Sequence, residues 1–109
     1  MNPAAERRRE ALKSFLEKNP DDSFSRYALA LEYRSMGDMT AAVRELEELR
    51  KRDGNYVALY YQLGGLYAQE GRHENARETY TAGISAARAA NDMHTLSELQ
   101  ATLDELSED

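Results

Sequence analysis

A repeat offset of 34 residues constrains this chain more than any other feature. Gly37 and Gly71 stand 34 positions apart. At the same shift Tyr27 falls on Tyr61, Leu29 on Leu63, Ala30 on Gly64, Tyr33 on Tyr67, Ala42 on Ala76 and Leu46 on Tyr80. Bulky residues meet bulky ones and small meet small. Shifted backwards, Leu46 and Leu49 reach Leu12 and Phe15, and Gly54 reaches Pro20. The first segment is therefore the second half of an earlier unit. Self-similarity at such a period marks small supersecondary units that bury their apolar faces by stacking.

The punctuation predicts helices. Asn2 and Pro3 read as an N-cap with proline in the first turn, and Asn19 before Pro20 reads as a stop. Asp21-Asp22, Gly37-Asp38, Asp53-Gly54-Asn55, Gly71 and Asn91-Asp92 supply caps or residues able to end a helix. The intervals between them are rich in Ala, Leu, Glu and Arg, and none alternates with period two. Helices are expected near 3–18, 22–36, 39–52, 56–70, 73–89 and 92–106, with no strands. The connections are short, so consecutive helices should pack antiparallel.

Composition excludes several classes. The 109 residues contain no Cys, which removes disulfide scaffolds, thiol nucleophiles and Cys-ligated metals. The apolar fraction of 41% argues against wholesale disorder. There is no 18-residue apolar run, so no spanning helix is expected. No apolar h-region follows the first residues, and the expected location is the cytoplasm. The formal net charge of −6 gives no counterion-release drive toward nucleic acid or anionic membranes.

The aligned residues resemble the tetratricopeptide repeat family. In 57–90 the pattern runs through Tyr60, Leu63-Gly64, Tyr67, Ala76, Tyr80 and Gly83, with Arg88 in place of the closing proline. In 23–56 it runs through Leu29-Ala30, Tyr33, Gly37 and Ala42. There Arg26 replaces the first aromatic, Leu49 a small residue and Gly54 the proline. Pro20 falls where that proline belongs. The resemblance covers nearly the whole chain. It implies an all-α, right-handed solenoid in one domain over 1–109: a half-repeat helix 3–18, repeats 23–56 and 57–90, and an acidic capping helix within 91–109.

The pattern has a steric logic. Gly64 inside a helix costs about 1 kcal/mol relative to Ala, which suggests close approach of a neighbour. Ala42 and Ala76 are the expected small partners. At the other end Leu96, Leu99, Leu103 and Leu106 form a stripe that Met93 extends. With two heptads it reads as a cap packed on helix 73–89 rather than a coiled-coil seam.

The first helix of each hairpin carries a second stripe. In one it is Phe24, Tyr27 and Leu31, ending in Arg34. In the other it is Ala58, Tyr61, Gln62, Gly65, Ala68 and Gln69. The resemblance implies that this face lines a concave groove for peptides, extended by Thr95 and Leu99. Burial by neighbouring helices is the other fate open to Phe24 and Leu31, and Gly65 is equally readable as a packing glycine. Tyrosine combines apolar area with a hydroxyl and little entropy loss, which favours a binding role for Tyr61. The carboxylate clamp of some family members is not supported, since Arg34 is the one basic residue nearby.

Chemistry is hard to place. His73 and His94 lack partners at zinc spacing, and His73 reads as a half-buried packing residue. The stretch from Gly83 to Ala87 lacks the second glycine of a nucleophile elbow. Gly64-Gly65 has no following Lys, so no phosphate loop is read there. Glu45, Glu47 and Glu48 among Arg44 and Arg50 read as a solvated face. The basic runs Arg7-Arg8-Arg9 and Arg50-Lys51-Arg52 are flanked by acids, so no nucleic-acid role is expected.

The expected function is a non-enzymatic protein–protein interaction module for a peptide or partner helix, with no catalytic residues, metal or cofactor. The alternative is self-association, as a homodimer, through the same apolar face. The charge is unevenly spread. Residues 1–90 carry equal numbers of acidic and basic groups. The whole −6 lies in Asp92, Glu98, Asp104, Glu105, Glu108 and Asp109. This acidic end reads as a solubilising cap, with steering of a basic partner as the alternative.

Overall fold

The computed structural model describes residues 2–108, with side chains through Leu106. Asp109 and the side chain of Glu108 lie outside the described residues. Six helices form, and the described residues contain no strand: α1 (Pro3–Lys18), α2 (Ser23–Ser35), α3 (Met39–Arg52), α4 (Ala58–Gln69), α5 (His73–Ala89) and α6 (Met93–Glu108). All six lie at the expected places, with ends shifted by two residues at most.

Local chemistry sets the helix ends. Gly37 and Gly71 hold φ of 86° and 76°, where a side chain would be strained. After α2 the Asp38 N–H donates to the Tyr33 carbonyl at 2.9 Å and the Gly37 N–H to that of Arg34 at 3.1 Å. After α4 the same pair runs from Arg72 to Tyr67 and from Gly71 to Ala68. After α5 it runs from Asp92 to Ala87 and from Asn91 to Arg88, with Asn91 at φ 59°. Each is a Schellman ending, which satisfies the last carbonyls and reverses the chain.

Capping side chains start the helices. Asp22, Asp38 and Asp92 accept from the N–H groups of Ser25, Ala41 and Thr95 at 2.9, 3.1 and 3.1 Å. Asn2 accepts from Ala4 at 3.0 Å. Arg72 stands where the repeat places Asp38, and α5 has no side-chain cap. The hydroxyl of Thr95 also donates to Asp92, and these two bonds hold its carboxyl below the usual range.

The chain divides into two compact units, Met1–Asp53 and Gly54–Asp109. In the first, α2 packs against both α1 and α3. Leu16, Leu29, Ala30, Ala41, Ala42, Leu46 and Leu49 are its buried apolar residues. The Ser23 hydroxyl donates to Asp53 at 2.6 Å, tying the start of α2 to the end of α3. Arg8 donates to Glu32 at 2.8 Å across α1 and α2, which raises the guanidinium pKa. The face of α3 read as solvated is not so. The side chain of Glu45 is 14% exposed and pairs with Arg26, and one Glu47 carboxyl oxygen is buried without a hydrogen-bond partner. Glu48 accepts from Arg52 at 2.6 Å, which lowers its pKa.

In the second unit α5 packs against α4 and α6. Close approach occurs at two glycines. A Cβ on Gly64 would lie 2.7 and 2.8 Å from the Cδ1 and Cζ atoms of Tyr80. A Cβ on Gly83 would lie 2.5 Å from that of Tyr60 and 3.0 Å from Leu99 Cδ1. A neighbour does approach closely at Gly64, as expected, and what meets it nearest is the Tyr80 ring, where Ala76 is the expected small partner.

Candidate partner-binding faces

In α2 the residues Phe24, Tyr27, Leu31 and Arg34 follow one another at spacings of 3, 4 and 3, so they share a face. Leu29 and Ala30, at 3% and 1% exposure, lie on the packed side. Phe24 is 71% exposed, while Tyr27, Leu31 and Arg34 are half-buried. Burial by neighbouring helices, one of the two fates open to Phe24, therefore does not occur.

α4 is buried around most of its circumference, through Leu59, Tyr60, Leu63, Gly64, Leu66 and Tyr67. The remaining face holds Ala58, Tyr61, Gln62, Gly65 and Gln69. Tyr61 is 46% exposed, Ala58 and Gln69 are exposed, and Gln62 and Gly65 are half-buried. An aromatic ring left half in water on so apolar a helix is the clearest departure from core packing in this unit.

Two expected positions on α6 behave otherwise. Leu99 is fully buried against α5 and lines no surface. Thr95 is half-buried, and both its backbone N–H and its hydroxyl bind Asp92, so it serves the cap. The reason is register. A 34-residue shift puts Leu99 on Gly65, but Leu99 matches Leu63 in depth, 36 residues away. α5 has 17 residues where α3 has 14. Two residues turn a helix by about 200°, which carries a side chain to the opposite face. At the corrected shift the counterparts of the α4 face are His94, Ser97, Glu98, Ala101 and Glu105, all exposed. The longer α5 was the sequence signal that could have found them.

Other expectations are corrected by exposure. His73 is exposed, not half-buried packing. Met93 is 51% exposed and does not extend the packed leucine stripe. His94 is exposed, with Nε2 3.6 Å from Glu98. Among the described residues no group of three or more His, Asp or Glu side chains is placed to hold a metal ion. Among the described residues no helix is long and apolar enough to cross a membrane.

The comparisons with known proteins agree with this architecture. The tetratricopeptide repeat family model matches residues 33–103. A TPR repeat-containing protein of Methanocaldococcus jannaschii is 35% identical over 69 residues, which is 63% of this chain but 21% of that protein. A tetratricopeptide repeat domain protein from Salinibacter ruber, solved by NMR, is 40% identical with a TM-score of 0.76, covering 80% of this chain and 88% of that one. PcrH, crystallised in complex with the chaperone binding region of PopD, has a TM-score of 0.85 at 14% identity, over 92% of this chain and 76% of that one. The last is a likeness of fold. With the repeat spacing, the glycine contacts and the matched family model in agreement, this chain belongs to the tetratricopeptide repeat family.

Proposed function

We propose that this chain is a non-enzymatic protein–protein interaction module whose partner, a peptide or a helix of another protein, binds the stripes Phe24–Tyr27–Leu31–Arg34 on α2 and Ala58–Tyr61–Gln62–Gly65–Gln69 on α4. The observation that carries this reading is the pair Tyr27 and Tyr61. They stand at equivalent repeat positions, on faces that each unit leaves at least partly open to water. A tyrosine there offers apolar contact area and a polar tip at small entropic cost, the profile of interface anchors. Gly65, within the α4 stripe, presents no side chain, so a ligand backbone can approach. The complex of PcrH with a segment of PopD supports the reading by fold.

Affinity capture from the native lysate, with the Tyr27→Ala/Tyr61→Ala chain as control, tests it. The substituted chain should keep its helical circular dichroism and lose its partners. A partner set indifferent to both substitutions refutes the assignment. Self-association through the same stripes is the competing outcome. A dimer seen by light scattering and dispersed by Tyr61→Asp would replace the heterologous reading.

A further inference from the structure

α1 carries a stripe that its counterparts bury. At the 34-residue shift, Leu12 and Phe15 stand where α3 has Leu46 and Leu49. Leu46 and Leu49 are each 1% exposed, whereas Phe15 is 45% exposed and Leu12 half-buried. In α5 the same positions are Tyr80 and Gly83, which meet Gly64 and Tyr60 of α4. The open stripe of α1 is therefore the one on which a helix of the α2 or α4 kind lies.

α6 carries the matching half. At its 36-residue shift, Leu96, Gln100 and Leu103 take the places of Tyr60, Gly64 and Tyr67. Those three are buried in α4, but Leu96 and Leu103 are half-buried and Gln100 is exposed. The charges of the two helices are opposite. α1 holds five basic and three acidic side chains, and α6 holds four acidic ones with no Lys or Arg. Within each unit, a helix of this kind and the next run antiparallel through a Schellman turn. In that arrangement the acidic end of α6, with Asp104 and Glu105, lies at the same end of the pair as Arg7 and Arg9, early in α1.

We propose that copies of this chain associate head to tail, α6 of one copy lying on the Leu12–Phe15 stripe of another copy's α1 to complete a helical hairpin. The contact joins two different surfaces, so a single contact leaves one α6 and one α1 stripe free and further copies can add in succession. Its strength comes from a small apolar seam and from opposite charges near the surface, so salt weakens it. It uses neither Tyr27 nor Tyr61.

Sedimentation of the full chain across concentration tests this. The mean mass should rise with concentration without stopping at a dimer, and should fall at high salt. Phe15→Glu should weaken association about tenfold or more. Phe15 is largely at the surface, so this variant should keep its helical signal. Tyr27→Ala/Tyr61→Ala should leave association unchanged. The absence of Cys permits a direct assay. Chains bearing Ala11→Cys mixed with chains bearing Gln100→Cys should oxidise to mixed dimers in preference to dimers of either alone. A monomer at all concentrations, a closed dimer dispersed by Tyr61→Asp but not Phe15→Glu, or cross-linking of each variant mainly with itself would overturn the proposal.

Discussion

The two units solve one packing problem with different side chains. In the second, the Tyr60 hydroxyl donates to the Gly54 carbonyl, six residues earlier, at 2.6 Å. In the first, Arg26 occupies the equivalent place and its Nη2 donates to the Pro20 carbonyl, also six residues earlier, at 2.9 Å. Both side chains anchor the loop before their helix. The surroundings then differ in concert. Tyr60 lies against Gly83, whose missing side chain admits it. Arg26 pairs at 2.8 Å with Glu45, and the Gly83 position is Leu49, fully packed. Glu45 in turn corresponds to Thr79, whose hydroxyl donates to the Asn75 carbonyl at 2.7 Å. A ring with a glycine is exchanged for an ion pair with a leucine. The comparison teaches that a repeat position conserves a job, here holding a carbonyl and filling a volume, and not a residue type.

The largest effect should come from crossing the two solutions. Gly83→Leu places a side chain where Tyr60 and Leu99 already stand, and should cost roughly 3 kcal/mol by chemical denaturation. Adding Tyr60→Arg and Thr79→Glu copies the first unit and should recover part of that loss. If the triple variant is no more stable than Gly83→Leu alone, the two sets are not alternatives and the comparison breaks. Next comes the ion pair. Arg26→Ala leaves Glu45 partnered only by Arg44 at 3.8 Å, at 14% side-chain exposure, and should cost about 2 kcal/mol. Tyr60→Phe removes one hydrogen bond and should cost about 1 kcal/mol. Equal losses from the two would mean that the charge adds nothing to the anchor.

The caps give a smaller contrast. Asp38→Ala should cost about 1 kcal/mol, because Asp38 satisfies the Ala41 N–H. Arg72 caps nothing, and its guanidinium lies 4.5 Å from the centre of the Tyr67 ring. Arg72→Ala should therefore cost less, about 0.5 kcal/mol. Thermal melts of the two variants at one pH would show the order.

The smallest effect is the acid dependence. Asp92, bonded by Thr95, and Glu48, bonded by Arg52, have carboxyls held below their ordinary values. A depressed folded-state pKa means a contribution that is complete above the ordinary carboxylate range. It is lost as pH falls below that range, through the folded value. Asp92→Asn keeps a capping oxygen without the charge, so it should flatten that part of the pH–stability curve while changing stability little at pH 7. An unchanged acid limb would show that the Thr95 bonds do not favour the carboxylate.

Much of this was legible because it is local. A glycine at the turn after α2 or α4 and an aspartate before α3 or α6 act within a few residues, so their meaning survives without knowledge of the rest of the chain. The same holds for the stripes on α2 and α4, whose faces follow from helical spacing alone. What was not legible depends on depth and register. Whether Phe15 and Phe24 are covered depends on which helices arrive beside them, and the expected solvated face of Glu45 is closed by Arg26 from another helix.

By itself the sequence determined six helices, their turns, the family and the close approach at Gly64, because each rests on short-range chemistry repeated at a constant interval. The tertiary structure decided three things: that Leu99 is core, that Arg26 and Glu45 form a half-buried pair, and that Phe15 and Phe24 face water. Each depends on contacts between segments far apart in sequence. There a difference of two residues in helix register, or the arrival of one packing partner, turns an exposed face into a buried one.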